Sequence, residues 1–167
     1  MRNSTKRLTT LALMTTFAIV LSYVESRIPT FVAIPGVKVG LANIVVILAL
    51  YTQALKEAII ISGVRVFAVS LLFGNPISMI YSLSGAFLSL LTMFLLKRLT
   101  PLRTVTVSVL GGVTHNAGQI AVASVILETN VLSYYLPFLI LSGTVAGIAV
   151  GVAAAVLIKR LEKFFKV

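Results

Sequence analysis

Long uncharged apolar runs, separated by short charged or helix-breaking stretches, dominate the chain. One of these runs, 66–96, holds 31 residues, or about 47 Å of helix, which is too long for a hydrocarbon core of about 30 Å. We expect it to break at Gly74-Asn75-Pro76, because proline suits the first turn of a new helix. The pattern then predicts six membrane-spanning helices, at about 8–24, 39–55, 57–73, 76–96, 104–127 and 133–158.

The composition supports an integral membrane protein of the all-α class. Of the 167 residues, 59% are hydrophobic and only 11% are charged, and the mean hydropathy is +1.09. Such a chain has too little polar surface to cover a water-soluble globule. We predict one membrane domain over residues 1–167. Because the chain contains no cysteine, disulfides and thiolate metal sites are excluded.

Lysine and arginine predict the orientation of the helices. Loops rich in these residues remain on the cytoplasmic side of a membrane. With both termini inside, eleven of the 14 basic residues lie on that side, Arg27 and Lys38 lie outside, and Arg65 falls within a span. The chain is therefore predicted to be N-in and C-in. This rule also explains most of the net charge of +10, so nucleic acid is not an expected partner.

The connection over residues 25–38 is apolar although it is predicted to face outward. Pro29, Pro35 and Gly36 oppose a continuous helix there. An apolar loop that faces water usually folds onto another part of the protein. Two interpretations stay open, a simple packed connection and a lid over an outward-facing cavity.

Polar side chains within the spans mark a candidate binding site, because each is costly in lipid. Counted from the inner ends of their helices, Arg65 lies about 13 Å deep and His115 with Asn116 about 17 Å deep, so the two sets share a level near the midplane. His115 and Gln119 share a helix face. These groups offer donors to an anionic or carbonyl-bearing small molecule. Hydrogen bonding between helices is the alternative interpretation.

We predict an outward-facing pocket in which these residues bind a solute and apolar burial supplies most of the affinity. In this hypothesis Lys38 attracts an anion, Arg65 holds it, and His115 with its amide neighbours orients it. No second histidine, aspartate or cysteine accompanies His115, so neither a metal nor another cofactor is expected. The predicted substrate-binding residues are Lys38, Asn43, Arg65, Tyr81, His115, Asn116 and Gln119.

The acidic residues are few and scattered. Glu25, Glu57 and Glu128 fall at predicted helix ends, where solvated carboxylates are expected, and Glu162 lies near the C-terminus. Enzymes that hold a diphosphate through Mg²⁺ do so on clustered carboxylates. The chain offers no such cluster and no GxxxxGK[ST] phosphate loop. We therefore expect neither catalysis nor ATP hydrolysis.

Small residues at four-residue spacing predict close helix packing. Gly143, Gly147 and Gly151 form a GxxxGxxxG ridge in the last span. Packing within the chain is the default interpretation of this ridge, and contact with a partner protein is the alternative. Ala12 and Thr16 form a weaker pair in the first span.

Four segments together resemble one small membrane family. They are SYVES at 22–26, PGVKVGLANIVVILALY at 35–51, LLFG at 71–74 and THNAGQ at 114–119. Their order and spacing resemble the Gx transporter family, also labelled heptaprenyl diphosphate synthase component I. That family is similar in fold to the six-helix substrate-binding S components of energy-coupling factor (ECF) transporters.

The resemblance implies a multi-pass protein of the prokaryotic cytoplasmic membrane that captures a vitamin-like or anionic solute from outside. S components then dock on a membrane-embedded T component, coupled to two ATPases, often through an Ala-xxx-Ala pair on the first helix. Here Ala12 and Thr16 match that pair only in part. Two alternatives stay open, a noncatalytic membrane component of prenyl or quinone metabolism and an autonomous secondary carrier. A carrier often contains inverted repeats, and the two halves of the chain show no convincing similarity.

Overall fold

The computed structural model describes residues 2–27, 40–129 and 131–165. Within these ranges the regular structure is entirely helical. A single 3₁₀ turn over Val131–Tyr135 precedes the last helix. The helices are α1 (Arg2–Arg27), α2 (Asn43–Thr52), α3 (Leu55–Phe73), α4 (Pro76–Leu99), α5 (Thr104–Ile126) and α6 (Leu136–Phe165).

Four of these helices are long and apolar enough to cross a membrane. They comprise Thr5–Arg27, Pro76–Leu99, Thr104–Ile126 and Leu136–Leu161. Large hydrophobic side chains on the outer faces of all four are exposed, as expected where a helix contacts lipid. The structure is therefore that of a multi-pass helical membrane protein. The N-in, C-in orientation and the six-span count stay predictions.

Helix α2 is shorter than the predicted span 39–55. Its 10 residues extend about 15 Å, half the thickness of a hydrocarbon core. Gly40 stands before it with a φ of 76°, a left-handed conformation that glycine adopts without strain. All side chains from Val45 to Leu50 are buried. The run is apolar because this helix lies inside the protein on every side, a cause that hydropathy cannot distinguish from lipid contact.

The GxxxGxxxG ridge of α6 packs against α5. A Cβ atom on Gly147 would stand 2.6 Å from the Cα of Val109, and one on Gly112 would stand 2.6 Å from the carbonyl oxygen of Gly143. A Cβ atom on Gly151 would stand 2.8 Å from the Cα of Val105 on α5. Only residues without a side chain permit such contact between two helix backbones. The interpretation of this ridge as internal packing is confirmed.

Charged side chains join the helices at the end of the bundle where α1 begins and α2 ends. Nε of Arg7 donates a hydrogen bond to Oε1 of Glu57 at 2.7 Å. Nζ of Lys97 donates to the carbonyl oxygen of Leu50 at 2.6 Å, one of the last four carbonyls of α2 that lack a partner within the helix. The expectation of a solvated Glu57 is wrong, because this side chain is buried beneath α1.

The predicted break before α4 is confirmed. Oδ1 of Asn75 accepts a hydrogen bond from the backbone N–H of Ser78 at 2.7 Å, and Oγ of Ser78 accepts one from the backbone N–H of Asn75 at 3.1 Å. Pro76 is the first residue of the helix. This capping box provides partners for N–H groups that a helix start otherwise leaves unpaired.

Asn75→Ala is expected to lower the free energy of unfolding by about 1 kcal/mol, because the cap loses its side-chain acceptor. Asn75→Asp keeps an acceptor at the same position and is the matched control. Unfolding in mixed detergent micelles, followed by loss of helical circular dichroism, measures both. Equal stability of the alanine and aspartate variants would contradict the role of the cap.

Candidate functional site

A cavity lies among the helices, between the start of α2 and the packed core of α4, α5 and α6. It extends from Glu25 and Gly40, where α1 leads towards α2, to Met93 and Ser108 further into the bundle. The centres of water molecules can occupy about 50 Å³ of it, which is room for a few waters. Its polar wall is formed, among the described residues, by Glu25, Asn43, Arg65, Ser89, Ser108, His115 and Asn116.

Arg65 is placed on this wall by the buried face of α3. That face also carries Ala58, Ile61 and Ser62, at the three- and four-residue spacing of one side of a helix. The Arg65 residue is only 9% exposed, and its Nε has no hydrogen-bond partner among the described residues. A buried guanidinium is costly unless its donors are satisfied. Arg65 is also one of the residues that line the cavity.

Glu25 lies on the same wall, although the sequence pattern favoured a solvated position for it. Its Oε1 accepts a hydrogen bond from the backbone N–H of Gly40 at 2.5 Å, and its carboxylate is near enough to attract the guanidinium of Arg65. Sequence reasoning missed this residue because it assigned Glu25 to the end of a helix. One signal in the sequence could have indicated it. Glu25 belongs to the SYVES segment at the predicted outer end of the first span, and Arg65 is the basic residue predicted to lie within a span.

His115 and Asn116 differ in what their side chains do. Nδ2 of Asn116 donates a hydrogen bond to the carbonyl oxygen of Leu139 on α6 at 2.8 Å and lies 3.4 Å from Oγ of Ser142. The amide thus links α5 to α6, as the alternative interpretation of this cluster expected. His115 lines the cavity and packs beside Gly85 of α4. The cluster therefore combines helix packing with part of the cavity wall.

Four of the predicted binding residues share the cavity, namely Asn43, Arg65, His115 and Asn116. Gln119 is buried against Gly85 at the interface of α4 with α5, away from that wall. Tyr81 lies on α4 and is also not part of the wall. Lys38 lies outside the described residues.

Two serines on the wall were not anticipated. Ser89 of α4 and Ser108 of α5 are each 3% exposed, and Oγ of Ser108 has no hydrogen-bond partner among the described residues. Their hydroxyl groups extend the polar surface from Arg65 into the bundle. Serine in an apolar helix is too common to have distinguished these positions beforehand.

The predicted docking pair lies on the outer face of α1. The side chains of Ala12 and Thr16 are exposed, and Oγ1 of Thr16 donates to the carbonyl oxygen of Ala12 at 3.0 Å. The opposite face packs into the bundle through Met14 and Ala18. A partner helix has access to the Ala12 face, and its use for docking stays a prediction.

Asn116→Ala is expected to lower the free energy of unfolding by about 1 kcal/mol, because a hydrogen bond between membrane helices is lost. Asn116→Asp is expected to cost more, about 2 kcal/mol, because a carboxylate then faces the carbonyl of Leu139 without a donor. Ser142→Ala keeps the Asn116 amide and its bond to Leu139; it removes the 3.4 Å contact and the bond that Oγ of Ser142 donates to the Leu139 carbonyl oxygen at 3.1 Å, and it is the control. The order of the three unfolding midpoints in mixed micelles tests the assignment. An aspartate variant as stable as wild type would refute it.

Comparison with known proteins places the chain in a family. The family model described as heptaprenyl diphosphate synthase component I matches residues 14–157. That range includes every residue described on the cavity wall. No curated protein and no solved structure matches the chain. The match agrees with the resemblance drawn from the four sequence segments, and we conclude that the chain belongs to the heptaprenyl diphosphate synthase component I family, the Gx transporter family.

Proposed function

We propose that this protein is the solute-binding, S-component-like subunit of an uptake transporter in the prokaryotic cytoplasmic membrane. It binds a vitamin-like or anionic small molecule from the outer side. A partner module, with a membrane-embedded T component and ATPases, supplies the energy. The protein itself is not an enzyme in this proposal.

The observation that supports the proposal is the buried Arg65 beside an interior cavity. Its Nε lacks a partner among the described residues, and the described wall combines seven polar residues with nine that are apolar or glycine around one space. Small-molecule sites in proteins likewise bring polar groups together within a cavity. A guanidinium is also the side chain best suited to hold a carboxylate or phosphate group.

Two features support a partner. The family name carries the words "component I", which fits a protein that works with a second component. The outer face of α1 presents Ala12 and Thr16 beside the exposed side chains of Leu13 and Phe17. Such a surface, with small residues flanked by large apolar ones, is suited to close contact with another membrane helix.

The family name also favours a second candidate, a noncatalytic membrane component of prenyl diphosphate or quinone metabolism. The positions of the carboxylates argue against a catalytic version. Glu57 is bound by Arg7 at one end of the bundle, and Glu25 lies on the cavity wall towards the other end. Prenyl elongation requires carboxylates clustered around Mg²⁺, and these two are far apart.

Native mass spectrometry of the detergent-purified protein, with identification of any released small molecule, tests the proposal first. A stoichiometric ligand that is not a lipid supports solute binding and names the chemical class. A prenyl or quinone compound supports the second candidate instead. Absence of any ligand, from protein purified out of cells grown in rich medium, counts against the binding site.

Uptake of that ligand into proteoliposomes then tests the partner. The proposal expects uptake only when a T component and its ATPases are present with ATP. Uptake by this chain alone, driven by an ion gradient, would identify an autonomous secondary carrier and overturn the ATPase-dependent scheme.

A further inference from the structure

The cavity carries opposite charges on one wall. Among the described residues that line it, Glu25 is the one with an acidic side chain, and Arg65 is the one with a permanently basic side chain. His115 is the other titratable group on this wall. With a neutral imidazole the described part of the wall therefore has no net charge, although a site for a simple anion would favour an excess of positive charge.

The two charged groups attract each other without touching. The carboxylate of Glu25 is near enough to affect Arg65 electrostatically, yet the ion pair found within 4.0 Å among the described residues joins Arg7 to Glu57, at the other end of the bundle. Opposite charges attract strongly at low dielectric. Two buried charges that do not touch are stabilised when polar atoms lie between them. These atoms belong either to water or to a solute that carries a dipole of its own.

The hydrogen-bonding capacity that Glu25 and Arg65 leave unused indicates the chemistry of that solute. Oε1 of Glu25 is held by the N–H of Gly40, but a carboxylate offers about four acceptor sites, so it can still accept a bond from a cationic donor. Nε of Arg65 is a buried donor without a partner among the described residues, and it requires an acceptor. A simple anion would satisfy Arg65 and bring a second negative charge close to Glu25. A simple cation would satisfy Glu25 but bring a second positive charge close to Arg65.

The size of the cavity limits what can be enclosed. The centres of water molecules can occupy about 50 Å³, which corresponds to a few waters. A polar head of a few non-hydrogen atoms fits this space, whereas a large ring system does not. Any larger part of the solute must lie towards the Glu25 and Gly40 end of the cavity.

We infer, building on the proposed function, that the solute carries a small zwitterionic head, with an anionic group bound by Arg65 and an ammonium group bound by Glu25. An α-amino acid head has this chemistry. Both charges then belong to one small molecule, since Glu25 and Arg65 line one cavity. The selectivity of the site for zwitterions then depends on Glu25 as much as on Arg65.

Matched probes that share one side chain test the inference on purified protein in nanodiscs. One set is leucine, isocaproate and isoamylamine, and a second is phenylalanine, hydrocinnamate and phenethylamine, each a zwitterion with its anion and its cation. Binding is measured by thermal shift and by native mass spectrometry. In at least one set, wild type is expected to bind the zwitterion about 30-fold or more tightly than either partner, because a lone charge leaves its counterpart in the wall buried and unpaired.

Glu25→Gln is expected to remove most of the preference for the zwitterion over the anion. Glu128→Gln removes one exposed carboxylate at the same end of the bundle, away from the cavity wall, and is expected to keep the wild-type preference. Unfolding midpoints of both variants establish that they are folded. An unchanged preference in Glu25→Gln would overturn the role of Glu25.

The remaining outcomes separate this inference from the proposed function. If the anion binds better than the zwitterion, the inference fails and a solute-binding function stands. If no probe binds but a molecule co-purifies with the protein, its charge decides, since a zwitterion supports the inference and a simple anion overturns it. If neither probes nor a co-purified molecule bind, the proposed function fails and the inference with it.

Discussion

Arg65→Gln is expected to weaken solute binding by about 100-fold or more while the helical bundle stays folded, because the anionic group of the solute loses its buried counter-charge. Glutamine keeps a polar side chain of moderate length on the cavity wall, so little apolar packing changes. The wild-type arginine has no hydrogen bond from Nε to a described residue. Its removal therefore breaks no internal bond at that atom, although Glu25 loses the attraction of the guanidinium.

The measurement is titration of the molecule released from wild-type protein back onto ligand-free wild type and variants in nanodiscs. Arg65→Lys keeps the charge but loses the planar fork of donors, and an intermediate affinity is expected. Arg98→Gln removes an exposed arginine at the far end of α4 and should bind as wild type does. Wild-type affinity in folded Arg65→Gln would show that this cavity is not the binding site.

Gly147→Ala is expected to lower the free energy of unfolding by about 2 to 3 kcal/mol, because the added methyl group overpacks the interface of α5 with α6. Its Cβ would stand 2.6 Å from the Cα of Val109 and 3.0 Å from the carbonyl oxygen of Ser108. Both atoms belong to the backbone of α5, so no side chain can rotate away. The two helices must separate, and the cavity that Gly147 borders must change shape with them.

Gly63→Ala is the matched control for this substitution. A Cβ atom on Gly63 would meet nothing within 4 Å, and the gain in helix propensity is about 1 kcal/mol at either glycine. The control is therefore expected to be as stable as wild type or slightly more stable, and the difference between the variants isolates packing. Reversible unfolding in mixed micelles measures both. Equal stability of the two alanine variants would refute the close contact at Gly147.

Much of the architecture could be predicted from the pattern of the chain. The break before α4 was predictable because proline and asparagine have local conformational preferences that act within one turn. The packing role of Gly143, Gly147 and Gly151 was predictable for a similar reason, since a four-residue spacing of glycines places a flat strip on one side of any helix. Packing within the chain was the default interpretation and a partner protein the alternative, and which helix the strip contacts was not predicted.

The candidate site was predicted less completely. Arg65, His115 and Asn116 were found because an isolated polar group in an apolar run is costly wherever it lies. Glu25 was missed because it lies near a predicted helix end, where a carboxylate is expected to be solvated and needs no further explanation. Glu25 of α1 accepts a hydrogen bond from Gly40, which precedes α2, and attracts Arg65 of α3. Spacing along a single helix does not encode contacts between separate segments.

The sequence alone therefore determined the class of the protein, its family and the break before α4. Each of these depends on solvent preference or on neighbours within a few positions, both of which composition and spacing express. The tertiary structure decided that α2 is a short, wholly buried helix, that the glycine ridge meets α5, and that Glu25 shares a cavity with Arg65. Hydropathy reports that a side chain avoids water, but it does not distinguish lipid from protein interior, and contacts between distant segments exist only once the helices pack.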